Sequence, residues 1–559
     1  MQITEEIKKL IKQALVSLGL EVGSISLEHP GDLAHGDYST NVAMVLAKKT
    51  GKNPREFAEQ IRAHIPTHKY IKKVEVAGAG FINIFLSSDF FIDSLQSILS
   101  AGESWGRVSV FERQSVLIEH SSPNLFKPFH IGHLVNNTYG EALVRIYKNA
   151  GADVTTLSFP SDVSPGIAKA VWGLLDAGIE NDFVIEQLGE AYANGVEAYE
   201  EDPNAKQVID EININIYKQE VDTAEWEVYE RGRDMSLEYF KNITQRLGSK
   251  FDDLIFESQA ERVGKEVVSS NTPKVFEESE GAVVFLGSKY GLFDNVFINS
   301  AGFGTYLAKD TGLLKIKFDK FDFDKSIVIT DTEQKQHFEL VKKASELINP
   351  EWAEKSLNLH HGRLSLTTGR ISSRDGAVPL AVDIIESVKE EASKRMQENN
   401  RTADTETAEA LAIGAVKYAI ARVGMGKNIV FDIKNSLSFE GDTGPYLQYT
   451  HARCISILNK VKLKSTKHLK FEDTKEFSGL DNLLYRFEEV TARSAIEQEP
   501  HYIANYLSEL ASAFNSWYGR EQILDGGAEQ DYKLAIVVAV ARTLKHGLLL
   551  LGIDAPDKM

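Results

Sequence analysis

Cysteine is almost absent: Cys454 is the only one in 559 residues. Neither a disulfide framework nor a cysteine-built zinc site can therefore form within one chain, and a reducing compartment is the expected home. Long apolar runs are missing as well. The most apolar stretch, Leu534 to Ile553, is interrupted by Arg542, Lys545 and His546, which suits a core helix followed by an apolar turn and excludes a membrane span. No secretory signal is expected, because Met1 to Leu20 sets Ile3, Ile7, Leu10, Ile11, Leu15 and Leu18 among charges at helical spacing. There is no internal repeat, no low-complexity tract, no Walker A sequence and no G-x-G-x-x-G, so the P-loop and dinucleotide arrangements do not compete. Positive charge is also short: 62 Lys and Arg against 81 Asp and Glu leave a net −19, which argues against a general nucleic-acid binder. Local clustering qualifies that. His451 to Lys470 carries Arg453, Lys460, Lys462, Lys464, Lys467 and Lys470 with no acid among them, whereas Tyr199 to Glu211 is acid-rich. Either a seat for one polyanion or a solvated helix face fits this clustering.

What is present is a long chain of 43% hydrophobic composition, enough for several cores. The expected fold is multi-domain: an N-terminal α+β unit over 1–105, a Rossmann-like α/β core over 106–382 and an all-α bundle over 383–559. In the first unit an opening helix and a helical pattern from Asn41 to Ile65 precede alternating Val74, Val76, Phe81, Ile82, Ile84 and Leu86. The α/β reading rests on a strand at Val116 to Glu119, a helix from about Ile131 to Ala150 closed by Gly151, and a strand at Val154 to Phe159, which together make a βαβ unit. Helical patterns from Asp176 to Leu247 predict an insertion around 176–250, further strands are expected at Ala282 to Leu286 and Lys325 to Ile329, and the pattern after Asp383 is almost wholly helical.

Between the first core strand and its helix stands His130-Ile131-Gly132-His133. A helix N-terminus offers free N–H groups and the positive end of a dipole, a natural seat for a nucleotide phosphate. Two imidazoles one turn apart can donate to phosphate oxygens as charge builds there, and Gly132 lets a nucleotide approach the backbone. Two histidines at i, i+3 could instead ligate zinc, but no third ligand follows at useful spacing.

The run S-S-P-N-x-x-K-x-x-H-I-G-H-L from Ser121 to Leu134 resembles the signature of the class I aminoacyl-tRNA synthetases, and within them of the arginyl enzymes. H-G-D-Y-S-T-N-V-A-M from His35, G-A-G-F-I-N from Gly78, T-Y-L-A-K-D from Thr305, F-E-G-D-T-G-P-Y-L-Q-Y-T-H-A-R from Phe439 and the terminal L-L-G-I-D-A-P-D-K-M are similar to that family's blocks and keep its order. The resemblance implies an arginine-tRNA ligase using ATP with Mg2+, without zinc or an organic cofactor, acting on arginine and tRNA(Arg), cytoplasmic and monomeric. It implies an arginine pocket of Glu119, Asn124, Tyr306, Asp310 and Gln334, a set rich in acceptors for the planar, donor-only guanidinium. Lys127, His130, His133 and Arg374 are implied as the catalytic groups. ATP is expected on His130, Gly132, His133, Ser372, Ser373 and Arg374, within a degenerate second signature from Gly369 to Gly376, G-R-I-S-S-R-D-G. Phe81 and Asn83 match D-loop positions, and Tyr518 matches an anticodon-stacking aromatic, with helix-core packing an equal alternative for Tyr518 and the favoured one for Trp517.

The chain departs from the family at Ser158 to Gly166, S-F-P-S-D-V-S-P-G, and at the T-D-T-E before Gln334. Both segments border the expected pocket. A non-catalytic tRNA-binding homologue and another nucleotidylyltransferase remain the alternatives.

Overall fold

The computed structural model describes residues 3–21, 23–181, 183–367, 379–398, 404–463, 465–471, 474 and 477–559. In the N-terminal unit, α1 (Ile3–Ser17) buries Ile3, Ile7, Leu10, Ile11, Ala14 and Leu15, one face at helical spacing. β1 (Tyr38–Thr40) is followed by two helices where one continuous pattern was expected. α2 (Val42–Thr50) stops because Gly51 takes the left-handed conformation at φ 68°, and α3 (Pro54–His64) restarts from the Asn53 side chain, which accepts from the N–H of Arg55 and Glu56. β2 (Ile71–Ala77) and β3 (Phe81–Leu86) complete an antiparallel sheet of order β1-β3-β2. α4 (Ser88–Ala101), capped by Ser87, leads out.

The central layer is a five-stranded parallel sheet of order β11-β10-β4-β5-β6. β4 (Ser115–Glu119), α5 (Ile131–Asn149) and β5 (Asp153–Ser158) are the βαβ unit read from the sequence, with Gly151 at φ 90° turning the chain. α6 (Pro165–Asp176), capped by Ser164, is followed by the helical insertion α7 (Ile185–Glu201), α8 (Pro203–Lys218) and α9 (Ala224–Arg246). β6 (Asp253–Leu254) returns to the sheet, and α10 (Glu257–Ser270) follows, with Ala260 in a core shared with Leu117 of β4 and Leu157 of β5. A separate three-stranded antiparallel sheet, β7 (Glu277–Ser279), β8 (Ala282–Phe285) and β9 (Asn295–Ile298), comes between α10 and α11 (Tyr306–Lys320) in chain order; only β8 was expected. α10 and α11 approach closely because Gly264 and Gly312 face each other's helix, where any Cβ would meet backbone. β10 (Lys325–Asp331), α12 (Lys335–Ile348), α13 (Pro350–Lys355) and β11 (Ser356–His361) finish the sheet.

The rest is helical with one exception: β12 (Leu364–Leu366) pairs in parallel with β13 (Ile429–Phe431), so the segment after Asp383 contains a strand. α14 (Ala381–Glu398) and α15 (Thr405–Ala421) bury residues in the same core as β4 and α5, and α16 (Ile433–Ser436) packs the partly buried Ile433 against it. α17 (Gly444–Lys460), α18 (Asp481–Leu484), α19 (Phe487–Glu497), α20 (His501–Tyr518) and α21 (Gln530–Leu550) form the terminal bundle. Three buried side chains bind backbone carbonyls of the final segment. Lys417 Nζ donates to Gly552 O at 2.9 Å and also to Leu247 O, Gln448 Nε2 donates to Asp554 O at 2.8 Å, and His451 Nδ1 lies 3.2 Å from Pro556 O. Among the described residues no helix is long and apolar enough to cross a membrane.

Candidate active site

α5 starts at the carboxyl edge of the central sheet, where the loop after β4 is tied down on three sides. Leu125 N donates to Ser161 O at 3.1 Å and Ser161 N to Pro123 O at 2.9 Å, which joins the exposed Asn124 to the loop after β5. From the insertion, Ser236 Oγ accepts from Phe126 N at 3.0 Å and Tyr239 OH from Phe129 N at 3.3 Å. From beyond residue 378, Pro379 O accepts from Ile131 N at 3.0 Å, and Ala381 N donates to Phe129 O at 2.9 Å. Ser372, Ser373 and Arg374 lie outside the described residues, as do Gly369, Arg370 and Gly376. The chain re-enters the described structure at 379, directly against the α5 N-terminus.

His130 is the N-cap of α5. Its Nδ1 accepts from Gly132 N at 3.1 Å, and the Nδ1 of His133 accepts from His130 N at 3.3 Å. The rings stack with centroids 3.8 Å apart and 14° between planes. An imidazole whose Nδ1 accepts carries its proton on Nε2. Both rings are half-buried, and among the described residues neither Nε2 has a hydrogen-bond partner. Burial, reinforced by the Lys127 charge, lowers the pKa of His130; burial, then His130, then Lys127 push His133 well below the usual histidine range. The result is a pair of neutral N–H donors at a helix N-terminus, beside a fixed cation. A side chain at Gly132 would press on the His130 ring, its Cβ 3.0 Å from Cε1.

Lys127 Nζ sits 3.9 Å over the Tyr192 ring, and Tyr192 lies near enough to Tyr306 to raise that phenol's pKa, though burial and Glu257 do more. Tyr306 remains 59% exposed, so its ring is available to a ligand. One turn on, Asp310 is hydrogen-bonded to His337 Nε2, and it lines a cavity together with Glu119 and Lys317. The buried carboxylate of Glu119 is itself paired with Lys317, Oε2 to Nζ at 2.5 Å. Gln334 is exposed just before α12, the helix that supplies His337. Of the five residues expected in the amino-acid pocket, Glu119 and Asp310 line one cavity, Tyr306 stands one turn before Asp310 on α11, and Asn124 and Gln334 are exposed on the loop after β4 and just before α12. Sequence reasoning missed the partners of these two carboxylates, Lys317 and His337. Lys317 did leave a signal, as a lysine on the apolar side of an amphipathic helix.

Phe81 and Tyr518 are remote from this crevice. Phe81 opens β3 and is 41% exposed, whereas Asn83 is buried and its Oδ1 accepts from Ser39 Oγ at 2.7 Å, holding β1 to β3. Tyr518 ends α20 at 37% exposure with the Arg453 guanidinium 5.0 Å from its ring, while Trp517 is in the core.

Three family models account for most of the chain: an arginyl tRNA synthetase N terminal domain over residues 5–86, a tRNA synthetases class I (R) catalytic domain over 94–433, and a DALR anticodon binding domain over 447–559. The chain belongs to the class I arginyl-tRNA synthetases. The arginine–tRNA ligase of Halothermothrix orenii is 30% identical over 567 residues, 99% of each chain. That of Clostridium botulinum strain Okra is 31% identical over 556 residues, 97% of each. The solved arginyl-tRNA synthetase of Thermus thermophilus superposes with a TM-score of 0.83 at 26% identity, covering 99% of this chain and 100% of that one. The Plasmodium falciparum arginyl-tRNA synthetase, at 18% identity and a TM-score of 0.81, has the same fold. The protein is accordingly an arginine–tRNA ligase built on a class I catalytic domain, and the stacked histidines stand where the synthetase signature was read in the sequence.

Proposed function

We propose that this arginyl-tRNA synthetase works in two steps carried by the residues gathered at the α5 N-terminus and on α11. The arginine carboxylate attacks the α-phosphorus of ATP, which enters with its Mg2+ as substrate, and pyrophosphate leaves; the 3′-terminal ribose hydroxyl of tRNA(Arg) then attacks the adenylate carbonyl and AMP leaves. His130 and His133 donate from Nε2 to the phosphate oxygens, Lys127 and Arg374 neutralise developing charge, and Gly132, Ser372 and Ser373 complete the ATP seat. Asn124, Tyr306, Asp310, Gln334 and the second oxygen of Glu119 receive arginine. The observation that carries this reading is the stacked imidazole pair, whose Nδ1 atoms accept from backbone N–H and whose Nε2–H groups have no partner among the described residues. The neutral form matters, since it donates without adding a charge that product would have to leave behind.

The division of labour we propose is tRNA D-loop recognition by 1–105, chemistry by 106–382 and anticodon recognition by 383–559, with α14 to α16 lending their apolar faces to the catalytic core. Phe81 and Tyr518 stack bases, and Asn83 keeps Phe81's strand in place. The chain works as a cytoplasmic monomer. Among the described residues no group of three metal-ligating side chains is found. Nothing supports the reading of a tRNA binder without turnover. The test is an aminoacylation assay with each of the twenty amino acids and total tRNA, together with ATP–pyrophosphate exchange with and without tRNA. Charging with arginine alone and exchange that needs tRNA are expected; charging with a different amino acid would overturn the pocket assignment, and full exchange without tRNA would overturn the tRNA requirement.

A further inference from the structure

Lys309 sits in T-Y-L-A-K-D between Tyr306 and Asp310, on the same face of α11 as Tyr306 one turn before it, and is 3% exposed beside α10. A buried ammonium is costly unless it is paired and hydrogen-bonded. Here Nζ lies 2.6 Å from Glu257 Oε2 and donates to Val163 O at 2.9 Å, with the rings of Tyr306 and Tyr217 at 5.2 and 5.6 Å. Burial works to lower its pKa, but Glu257 and Tyr217 outweigh that and hold it above the ordinary lysine value. Burial acts on Glu257 in the other sense and raises its pKa, opposed by Lys309 and the Ser161 hydroxyl. The Val163 carbonyl accepts from the Tyr217 hydroxyl as well, at 3.4 Å, so lysine and phenol share that acceptor.

This one ammonium therefore joins α11, α10, α8 and the loop after β5. Through Glu257 and Ser161 it also reaches the backbone on either side of Asn124. The loop is the stretch Ser158 to Gly166 in which the chain departs from its family, and it is anchored a second time where Asp162 accepts from Ser258 N at 2.9 Å and Oγ at 2.7 Å. Replacing a buried ion pair by apolar side chains of similar volume often leaves stability unchanged, so stability alone does not account for one here.

We propose that Lys309, held by Glu257, is a positioning residue for arginine: it fixes Tyr306, Asp310 and the Asn124 segment around the substrate without touching it, and so sets arginine recognition. This rests on the reading that Tyr306 and Asp310 face arginine. In the full-length enzyme, Lys309→Met should raise the arginine KM about tenfold or more while the KM values for ATP and tRNA stay within about twofold. Lys309→Arg, which keeps the charge and the donors, should restore most of the loss. The double variant Lys309→Met with Glu257→Leu removes both buried charges, keeps the fold if the single variant does not, and should retain the raised arginine KM. A wild-type arginine KM in the double variant, or equal changes in all three KM values, would overturn the inference. Tyr306→Ala separates the two levels: if it leaves the arginine KM unmoved, the pocket reading has failed; if it raises the arginine KM and Lys309→Met does not, only the role of Lys309 has failed.

Discussion

At its front end α5 presents His130 and His133, whose Nε2 atoms have no hydrogen-bond partner among the described residues; beside the rear half of the same helix, Lys417 of α15 is wholly enclosed and donates to Leu247 O and Gly552 O, near the Glu141–Arg145 pair of α5. Burial disfavours the charged form in both places, lowering the histidines and bringing Lys417 down to about 8. What differs is where the hydrogen-bonding capacity goes. Among the described residues the rings keep half of theirs without a partner, and the lysine directs its donors to two backbone carbonyls. The front of the helix is organised for chemistry and the rear for holding the catalytic core to the terminal segment.

The sharpest way to break this contrast is His133→Ala. It should lower kcat by roughly 10²- to 10³-fold, as expected for removing one donor to developing charge, while tRNA affinity and melting temperature change little. Equal loss of rate and tRNA affinity would sink the phosphate role. Lys417→Met should do the reverse, leaving kcat near wild type and altering stability. The sign follows from the lysine's folded-state pKa of about 8 against 10.5 for an ordinary lysine. Between those values the unfolded chain holds a proton that the folded chain has released, so stability rises with pH across the window and this contribution is absent below about pH 8. Wild type should gain about 2 kcal/mol relative to Lys417→Met between about pH 8 and 9.5, read from denaturant midpoints at several pH values; parallel pH profiles would show that Lys417 is not depressed. The smallest effects belong to regions outside both ends of α5. Phe81→Ala and Tyr518→Ala should each raise the tRNA KM roughly fivefold, the weaker end of the stacking range, with the KM values for arginine and ATP unmoved. Trp517→Ala should instead lower the melting temperature, because that ring is in the core.

Much of the fold was legible because periodicity and turn chemistry are local. The β4–α5–β5 unit, the opening helix and the helical insertion follow from apolar spacing and caps, and Gly151 marks its turn. The join between α2 and α3 was missed although Gly51 and Asn53 announce it, because the apolar pattern runs on through the break. The small sheet β7–β9 was mostly missed, since Glu277 to Ser279 is three exposed polar residues with no alternation. At the site, the histidine pair was readable because cap, glycine and spacing fall within four residues. The pairing of Glu119 with Lys317, and of Lys309 with Glu257, was not, because an ion pair between distant segments has no local pattern. Lys417 was discoverable in part, as a single charge within the apolar run of α15.

The stacked rings also divide their nitrogens between two duties, one inward to the peptide backbone and one outward to the crevice. An asparagine amide reaches about as far as Nδ1 and a glutamine amide about as far as Nε2, so each duty can be supplied separately. A reagent that alkylates or metallates the outer nitrogen would silence the chemistry and leave the helix start undisturbed. Architecture and reactivity at this point share a residue but not an atom.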